Sequence, residues 1–191
     1  MGEAVAVSLP GHVLVDSHRA ERARRAIGEV TTPGGSSDAH QLFSDKQPED
    51  RVGLPRLYLD VDGVLVEFYG NPRGLQLRAG AGSFMRFVAD NFNVVWCTAW
   101  FDKANLLIPA LAGFPVDEFS FPALVWSGDK AAAILAREGA NLSWVWVDDE
   151  CGSHEREKLK GALAFGNLVR ATPSKPLTHV TWKLKRWLAG A

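Results

Sequence analysis

The fold of this chain is decided by the stretch Leu57-Tyr58-Leu59-Asp60-Val61-Asp62-Gly63. A short apolar run that stops at a glycine indicates a buried strand ending in a turn. Side chains two residues apart share one face of a strand, so Asp60 and Asp62 should project together from its carboxyl end. Ligands bind at that end in open parallel α/β sheets, and two carboxylates crowded there need a cation or a shared proton. We therefore expect this acidic pair to carry chemistry.

The remainder of the chain after residue 52 alternates strand and helix patterns. Strands separated by helices imply parallel crossovers, so we predict an α/β fold in three layers, α/β/α and Rossmann-like, around a central, mostly parallel sheet. Ser83 and Asp102 are the predicted N-caps of the first two helices. The predicted strands span 57–61, 94–98, 123–126, 144–147 and 167–170, and the predicted helices span 82–91, 103–111, 130–138, 154–159 and 177–188.

The length of 191 residues allows one domain with a sizeable core and leaves little room for a second. Residues 1–52 are rich in glycine, serine, proline and charged residues, and such segments bury too little apolar surface to become ordered. We therefore predict a disordered leader over 1–52 and one folded domain over 53–191. The basic segment 18–27 of the leader is either a solvated helix or an arm that binds a partner.

The composition argues against several classes of protein. A formal net charge of −1 provides no field of one sign to attract nucleic acid or an anionic membrane. No apolar run approaches the roughly 18 residues that a membrane span needs, and the first residues lack the pattern of a secretory signal. Cys97 and Cys151 give no disulfide framework. We expect a cytoplasmic protein with no membrane partner, and nucleic acid remains open as a disfavoured partner.

Three further groups of polar residues lie at positions that could bring them close to the first acidic pair. Thr98 ends the second predicted strand, Lys130 begins the helix after the third, and the pair Asp148-Asp149 ends the fourth. The carboxyl ends of parallel strands share one edge of the sheet, so these side chains can converge. Acids bind Mg²⁺, a lysine and a hydroxyl suit phosphate oxygens, and a carboxylate can attack phosphorus. Taken singly, Thr98 and Lys130 are more often structural, and the joint pattern favours a site.

These residues, in this order, resemble the four-motif signature of the haloacid dehalogenase (HAD) superfamily. The resemblance covers about residues 55–190 and implies a HAD-like hydrolase domain. Its implied activity is a Mg²⁺-dependent phosphomonoesterase that acts on a phosphorylated substrate through an aspartyl-phosphate intermediate. The natural substrate, small or macromolecular, and the oligomeric state stay open.

The resemblance also implies a role for each matching residue. Asp60 would be the nucleophile, and Asp62 would protonate the leaving oxygen and then take a proton from water. Thr98 would donate a hydrogen bond to a phosphoryl oxygen, and Lys130 would neutralise the charge of Asp60 and the phosphate. The implied metal ligands are Asp60, the backbone carbonyl of Asp62, Asp148, and Asp149 acting through water.

Other members of the superfamily and other folds fit the motifs less well. Dehalogenases in this superfamily lack the second acid, Asp62, and a P-type pump needs membrane segments. A two-component receiver domain has its acidic pair before the phosphorylated aspartate, which is the wrong order here. Two alternative functions stay open: a catalytically quiet HAD-like module that binds or regulates, and a nucleic-acid end-processing phosphatase.

The intervals before and after Thr98 are too short to hold an independent cap domain, so we predict a capless member with an open site. The segment 66–80 could form a small flap or hairpin beside the site, with Asn71, Pro72 and Gly74 at its turn. Five residues could contact the leaving group or serve only in packing: Phe68, Tyr69, Arg73, Trp100 and Phe101.

Overall fold

The computed structural model describes residues 50–67, 76–115 and 119–190. Within them the chain is an α/β protein with a four-stranded parallel sheet and five α-helices. The strands are β1 (Arg56–Leu59), β2 (Val66–Glu67), β3 (Gln76–Leu77), β4 (Asn93–Trp96), β5 (Trp144–Asp148) and β6 (Leu168–Arg170). The helices are α1 (Ala81–Asn91), α2 (Ala104–Ala112), α3 (Lys130–Glu138), α4 (Ser153–Gly161) and α5 (Leu177–Gly190). The predicted leader lies outside the described residues except for its last three, and its disorder stays a prediction.

The order of the strands places β1 and β5 at the centre of the sheet. The order is β4-β1-β5-β6, and every pairing is parallel, which confirms the predicted parallel sheet. The chain leaves β1 toward β4 on one side and returns past β1 to β5 on the other. Such a reversal opens a crevice outside the carboxyl ends of the central strands, where ligands bind in folds of this kind.

Alternating side chains of the strands build a hydrophobic core on each face of the sheet. Leu57 and Leu59 pack on one face with α1, α2 and α5, and Tyr58 packs on the other with α3 and α4. A strand covered on both faces must be apolar throughout, which is why β1 reads as a continuous hydrophobic run. Helices therefore cover both faces, and the polar residues that follow β1 emerge only at its end.

The predicted strand at 123–126 is wrong beyond its first residue. Ala123 forms a single parallel bridge with Trp96, supported by hydrogen bonds from Trp96 N to Pro122 O and from Leu124 N to Trp96 O, both 2.8 Å. Val125 is 82% exposed, so the segment leaves the sheet immediately. Pro122 cannot donate to a ladder, which limits pairing along this outer edge.

The starts of the first two helices also differ from the prediction. α1 begins after Gly80, which adopts a left-handed conformation with φ 83°, and Ser83 lies in the first turn instead of capping it. Asp102 lies in a single 3-10 turn, Phe101–Lys103, that leads into α2. At the start of α3, Asp129 accepts a hydrogen bond from Ala132 N at 2.8 Å and is a true N-cap.

The flap predicted over 66–80 is confirmed at its base. β2 and β3 pair antiparallel, with Val66 opposite Leu77. The turn residues between them lie outside the described residues, as do Phe68, Tyr69 and Arg73. Arg78 follows β3 and is only 4% exposed. Its guanidinium donates to five backbone carbonyls, those of Gly63, Val64, Thr172, Pro173 and Lys175.

A buried polar cluster closes the amino edge of the sheet. Glu138 accepts hydrogen bonds from Arg56 Nη1 at 2.6 Å and from Asn141 Nδ2 at 2.9 Å, and also from the Tyr58 hydroxyl. Burial and the bond to Glu138 hold the pKa of Tyr58 well above its usual value. The one carboxylate has several donors, so this cluster is structural.

None of the helices within the described ranges combines the length and hydrophobicity needed to cross a lipid bilayer.

Candidate active site at the carboxyl edge of the sheet

Three charged side chains from three elements meet at the carboxyl ends of β1 and β5. Asp60 directly follows β1, Asp148 ends β5, and the strands are in register with Leu59 opposite Val147. Lys130, the first residue of α3, places its Nζ 2.9 Å from Asp60 Oδ2 and 2.8 Å from Asp148 Oδ2. One ammonium group, on a side chain that is 13% exposed, therefore bridges two buried carboxylates.

The charged groups of this cluster shift one another's pKa values. Burial works to lower the pKa of Lys130, but the carboxylates of Asp148 and Asp60 outweigh burial and hold it well above its usual value. Burial raises the pKa of Asp60, Lys130 opposes this, and Asp148 and Asp62 add to it, so that the net direction is upward. The lysine stays charged, and the crowded acids favour an added cation.

The acids provide a set of ligands that suits a metal ion. Oxygen atoms of Asp60, Asp148 and Asp149 all lie within 4.8 Å of one another, and all three residues are buried. Carboxylate oxygens are the ligands that Mg²⁺ prefers. Asp149 is close enough to belong to this group, and its predicted role through water stays a prediction. The carboxylate of Asp62 is outside this group, and the predicted use of its backbone carbonyl stays a prediction.

Gly63 makes room for the third acid. It has φ +70°, and a Cβ built on it would lie 1.9 Å from Asp149 Oδ2 and 2.2 Å from Asp149 Cγ. No side chain fits in that space, and an L-residue is strained at that φ. The glycine after the acidic pair therefore lets the carboxylate of Asp149 pack against the turn that follows β1.

Replacing Gly63 by alanine should lower the free energy of unfolding by at least ~2 kcal/mol, from left-handed strain and the clash with Asp149. Gly113→Ala is the matched control, because Gly113 has φ +73° with nothing within 4 Å of its Cβ position. The control carries the strain without the clash. Urea denaturation of both variants measures the difference, and equal losses would contradict the close packing of Asp149 against Gly63.

Asp62 is held by a residue of a different loop. Its Oδ2 accepts a hydrogen bond from Trp100 Nε1 at 2.9 Å, and both residues are buried. Thr98 is also fully buried and lies just beyond Cys97, whose N–H donates to Leu59 O at 2.8 Å. The Thr98 hydroxyl accepts a long bond of 3.4 Å from Trp100 N. Thr98 thus lies beside the end of β1, and its contact with a phosphoryl oxygen stays a prediction.

The first turn of α3 is anchored by an acid that the sequence analysis missed. Glu155, in the first turn of α4, accepts hydrogen bonds from Lys130 N at 3.1 Å and from Gly152 N at 3.0 Å. Burial raises the pKa of Glu155. A glutamate three residues after a helix start is the spacing of a capping box, so a local signal existed. The bond to Lys130, in another helix, had none.

All six predicted site residues lie near the carboxyl edge of the sheet. Direct polar contacts join Asp60, Lys130 and Asp148, while Asp149 joins through proximity of carboxylates. Of the residues proposed to contact a leaving group, Trp100 is 1% exposed and bonded to Asp62, and Phe101 is half-buried with a strained φ of 49°. Trp100 therefore contacts the site through Asp62.

Comparisons with models of protein families, with curated proteins and with solved structures found no match to this chain. The family resemblance of the four motifs consequently stays a prediction. Any function must be inferred from the residues and geometry of the edge site themselves.

Proposed function

We propose that this chain is a Mg²⁺-dependent phosphomonoesterase that acts through an aspartyl-phosphate intermediate on Asp60. The observation that carries the proposal is the position of the Lys130 ammonium, 2.9 Å from Asp60 and 2.8 Å from Asp148, two acids that cluster with Asp149. Binding alone does not call for a lysine held between two acids at the ligand-binding edge of a sheet. Phosphoryl transfer does, because its catalysis consists largely of placing charge around the phosphoryl group.

The acids fit the metal that this activity requires. Asp60, Asp148 and Asp149 offer oxygen ligands at close quarters, and Gly63 leaves the space that Asp149 occupies. The Mg²⁺ ion, when bound by these three residues, would supply positive charge to the acids and to the phosphoryl oxygens. The upward pKa of Asp60 supports this fit, because that acid needs a cation to stay ionised for attack.

The first chemical step forms a bond from a carboxylate oxygen of Asp60 to phosphorus. The bond between phosphorus and the ester oxygen breaks, and its electron pair stays on that oxygen, which takes a proton from Asp62 and leaves as an alcohol. In the second step a water attacks phosphorus and gives a proton to Asp62. The bond from Asp60 to phosphorus breaks, inorganic phosphate leaves, and both acids return to their starting states.

The other site residues bind and orient the phosphoryl group. Lys130 keeps its charge between the two acids and is placed to attract phosphoryl oxygens. Thr98, buried beside the end of β1, would donate its hydroxyl hydrogen to one of them. Asp129 and Glu155 hold the first turn of α3, and through it the backbone from which Lys130 extends.

The finer class of the fold and the setting of the enzyme are part of the proposal. A four-stranded parallel sheet covered by helices on both faces supports a Rossmann-like, HAD-like domain. The short interval from β1 to α1, which contains a hairpin, supports an open site without a cap domain. We propose a phosphorylated small molecule or macromolecule as substrate and the cytoplasm as location, where the buried thiols of Cys97 and Cys151 would stay reduced.

Removal of the metal is the experiment that tests this function. Purified full-length protein should hydrolyse 4-nitrophenyl phosphate with Mg²⁺, and a chelator should reduce turnover by about a hundredfold or more. Adding Mg²⁺ back should restore the rate. Equal turnover with chelator would contradict a requirement for the metal.

If neither 4-nitrophenyl phosphate nor a panel of phosphometabolites and phosphopeptides yielded phosphate, with the fold intact by circular dichroism, the protein would be a binding module.

A further inference from the structure

We propose that Trp100 is a positioning residue for Asp62 and that it makes the enzyme competent on phosphate esters with poor leaving groups. This inference rests on the proposed function. It adds a residue and a substrate range that the four motifs do not contain. The observation behind it is the hydrogen bond from Trp100 Nε1 to Asp62 Oδ2, 2.9 Å long, between two buried side chains.

The bond restrains the carboxylate of Asp62 because the indole N–H is a donor with a fixed direction. Its N–H has one direction, set by a ring that is 1% exposed and packed in the core beside β1. The bond to Oδ2 fixes the orientation of the carboxyl group. A carboxyl group held in one rotamer can exchange a proton with the leaving group without a search among orientations.

The loop that holds Trp100 is itself tightly built. Trp100 N donates to Thr98 Oγ1 at 3.4 Å, and the next residue, Phe101, has a φ of 49°. A bulky residue in that region costs about 1–3 kcal/mol and persists only where its surroundings enforce it. Trp100 therefore links the loop after β4 to the acid that follows β1 through a backbone with little freedom.

A buried indole usually donates to an acceptor, and two other tryptophans show what an ordinary acceptor is. Trp144 Nε1 donates to Asn141 O at 2.8 Å, and Trp96 Nε1 donates to Asn105 Oδ1 at 2.6 Å. These acceptors are neutral and belong to residues without a proposed role in catalysis. Trp100 instead donates to a site carboxylate. Trp144, at the amino end of β5, is thus a matched control for the loss of a buried indole bond.

Proton donation matters most when the leaving group is a strong base. Loss of 4-nitrophenolate needs little help from an acid, whereas an alkoxide cannot leave without a proton. A misplaced Asp62 should therefore slow ethyl phosphate far more than 4-nitrophenyl phosphate. A merely structural loss would lower both rates in the same proportion, because it changes the amount of folded enzyme.

The test compares kcat for 4-nitrophenyl, phenyl and ethyl phosphate in wild type, Trp100→Phe, Asp62→Asn and Trp144→Phe, all as full-length protein with Mg²⁺. Trp100→Phe should lower kcat on ethyl phosphate by about 10- to 100-fold, the weight of a hydrogen bond to a charged group, and by no more than about threefold on 4-nitrophenyl phosphate. Asp62→Asn should show the same pattern more strongly. Ratios within one sample are insensitive to partial unfolding.

The outcomes separate this inference from the proposed function. The ratio of kcat on 4-nitrophenyl phosphate to kcat on ethyl phosphate decides the role of Trp100. If Trp100→Phe leaves this ratio unchanged, or Trp144→Phe changes it equally, the role of Trp100 is overturned and the proposed phosphatase activity stands. If only Asp62→Asn lowered kcat on ethyl phosphate more than kcat on 4-nitrophenyl phosphate, Asp62 would act as the acid without help from Trp100. That result would also overturn the inference. Absence of Mg²⁺-dependent turnover in wild type on every ester would overturn both.

Discussion

Asp60→Asn should reduce turnover of 4-nitrophenyl phosphate by on the order of ~10⁴-fold or more, since loss of a covalent nucleophile removes the reaction path itself. Asp60 is the site acid that follows the central strand β1 directly and lies 2.9 Å from Lys130. An amide cannot form the acyl phosphate. The measurement is kcat at saturating Mg²⁺, accompanied by intact mass after acid quench, which should show a phosphoryl adduct in wild type and none in the variant.

The variant should keep its fold, which makes the result interpretable. Burial already drives the pKa of Asp60 upward, so a neutral amide of the same shape costs the folded state little. Asp90→Asn, on the exposed end of α1, is the matched control and should retain full turnover. Comparable activity in Asp60→Asn with an unchanged melting temperature would contradict a covalent path through Asp60 and favour direct attack by water.

Much of the fold and the core of the site could be predicted because their signals are local. The apolar run before Asp60 required a buried strand, and alternation of strands with helices required parallel crossovers. In a parallel sheet the carboxyl ends of β1 and β5 lie at the same edge, and the observed pairing of these two strands brings Asp60 and Asp148 together. The position of Lys130 at the start of a helix then places its side chain at the same edge.

The remaining features depend on contacts between distant parts of the chain. From the sequence, Trp100 is expected only to pack or to contact a leaving group, because nothing near it in the chain points to Asp62. The bond from Lys130 N to Glu155 also has no local signal, because it joins two helices. Gly80, not the predicted Ser83, is the N-cap of α1, and a glycine adopts its left-handed φ without strain. Such outcomes are decided by tertiary packing and by backbone conformations that residue type alone leaves open.

Arg78→Met should lower the free energy of unfolding by about 3–5 kcal/mol, the size expected when one member of a buried polar network is removed. Arg78 Nη1 donates to Gly63 O at 2.8 Å and Val64 O at 3.0 Å, and Nη2 donates to the loop after β6, including Thr172 O at 3.2 Å. Methionine fills similar volume but leaves these carbonyls without their donor. Urea denaturation measures the loss.

The same guanidinium joins the turn that contains Gly63 to the loop that follows β6, so its removal should also have a local signature. Amide hydrogen exchange should rise at 63–66 and 171–176 more than in the strands. Arg137→Met, on the exposed face of α3, is the matched control and should change stability by less than ~0.5 kcal/mol. Arg78→Lys should lower the free energy of unfolding by an amount between those of Arg78→Met and Arg137→Met, because one ammonium cannot reproduce a planar guanidinium that reaches both loops. If Arg78→Met matched Arg137→Met in stability and exchange, the two loops would be held by their own packing, and the turn beside Asp60 would be preorganised without the guanidinium.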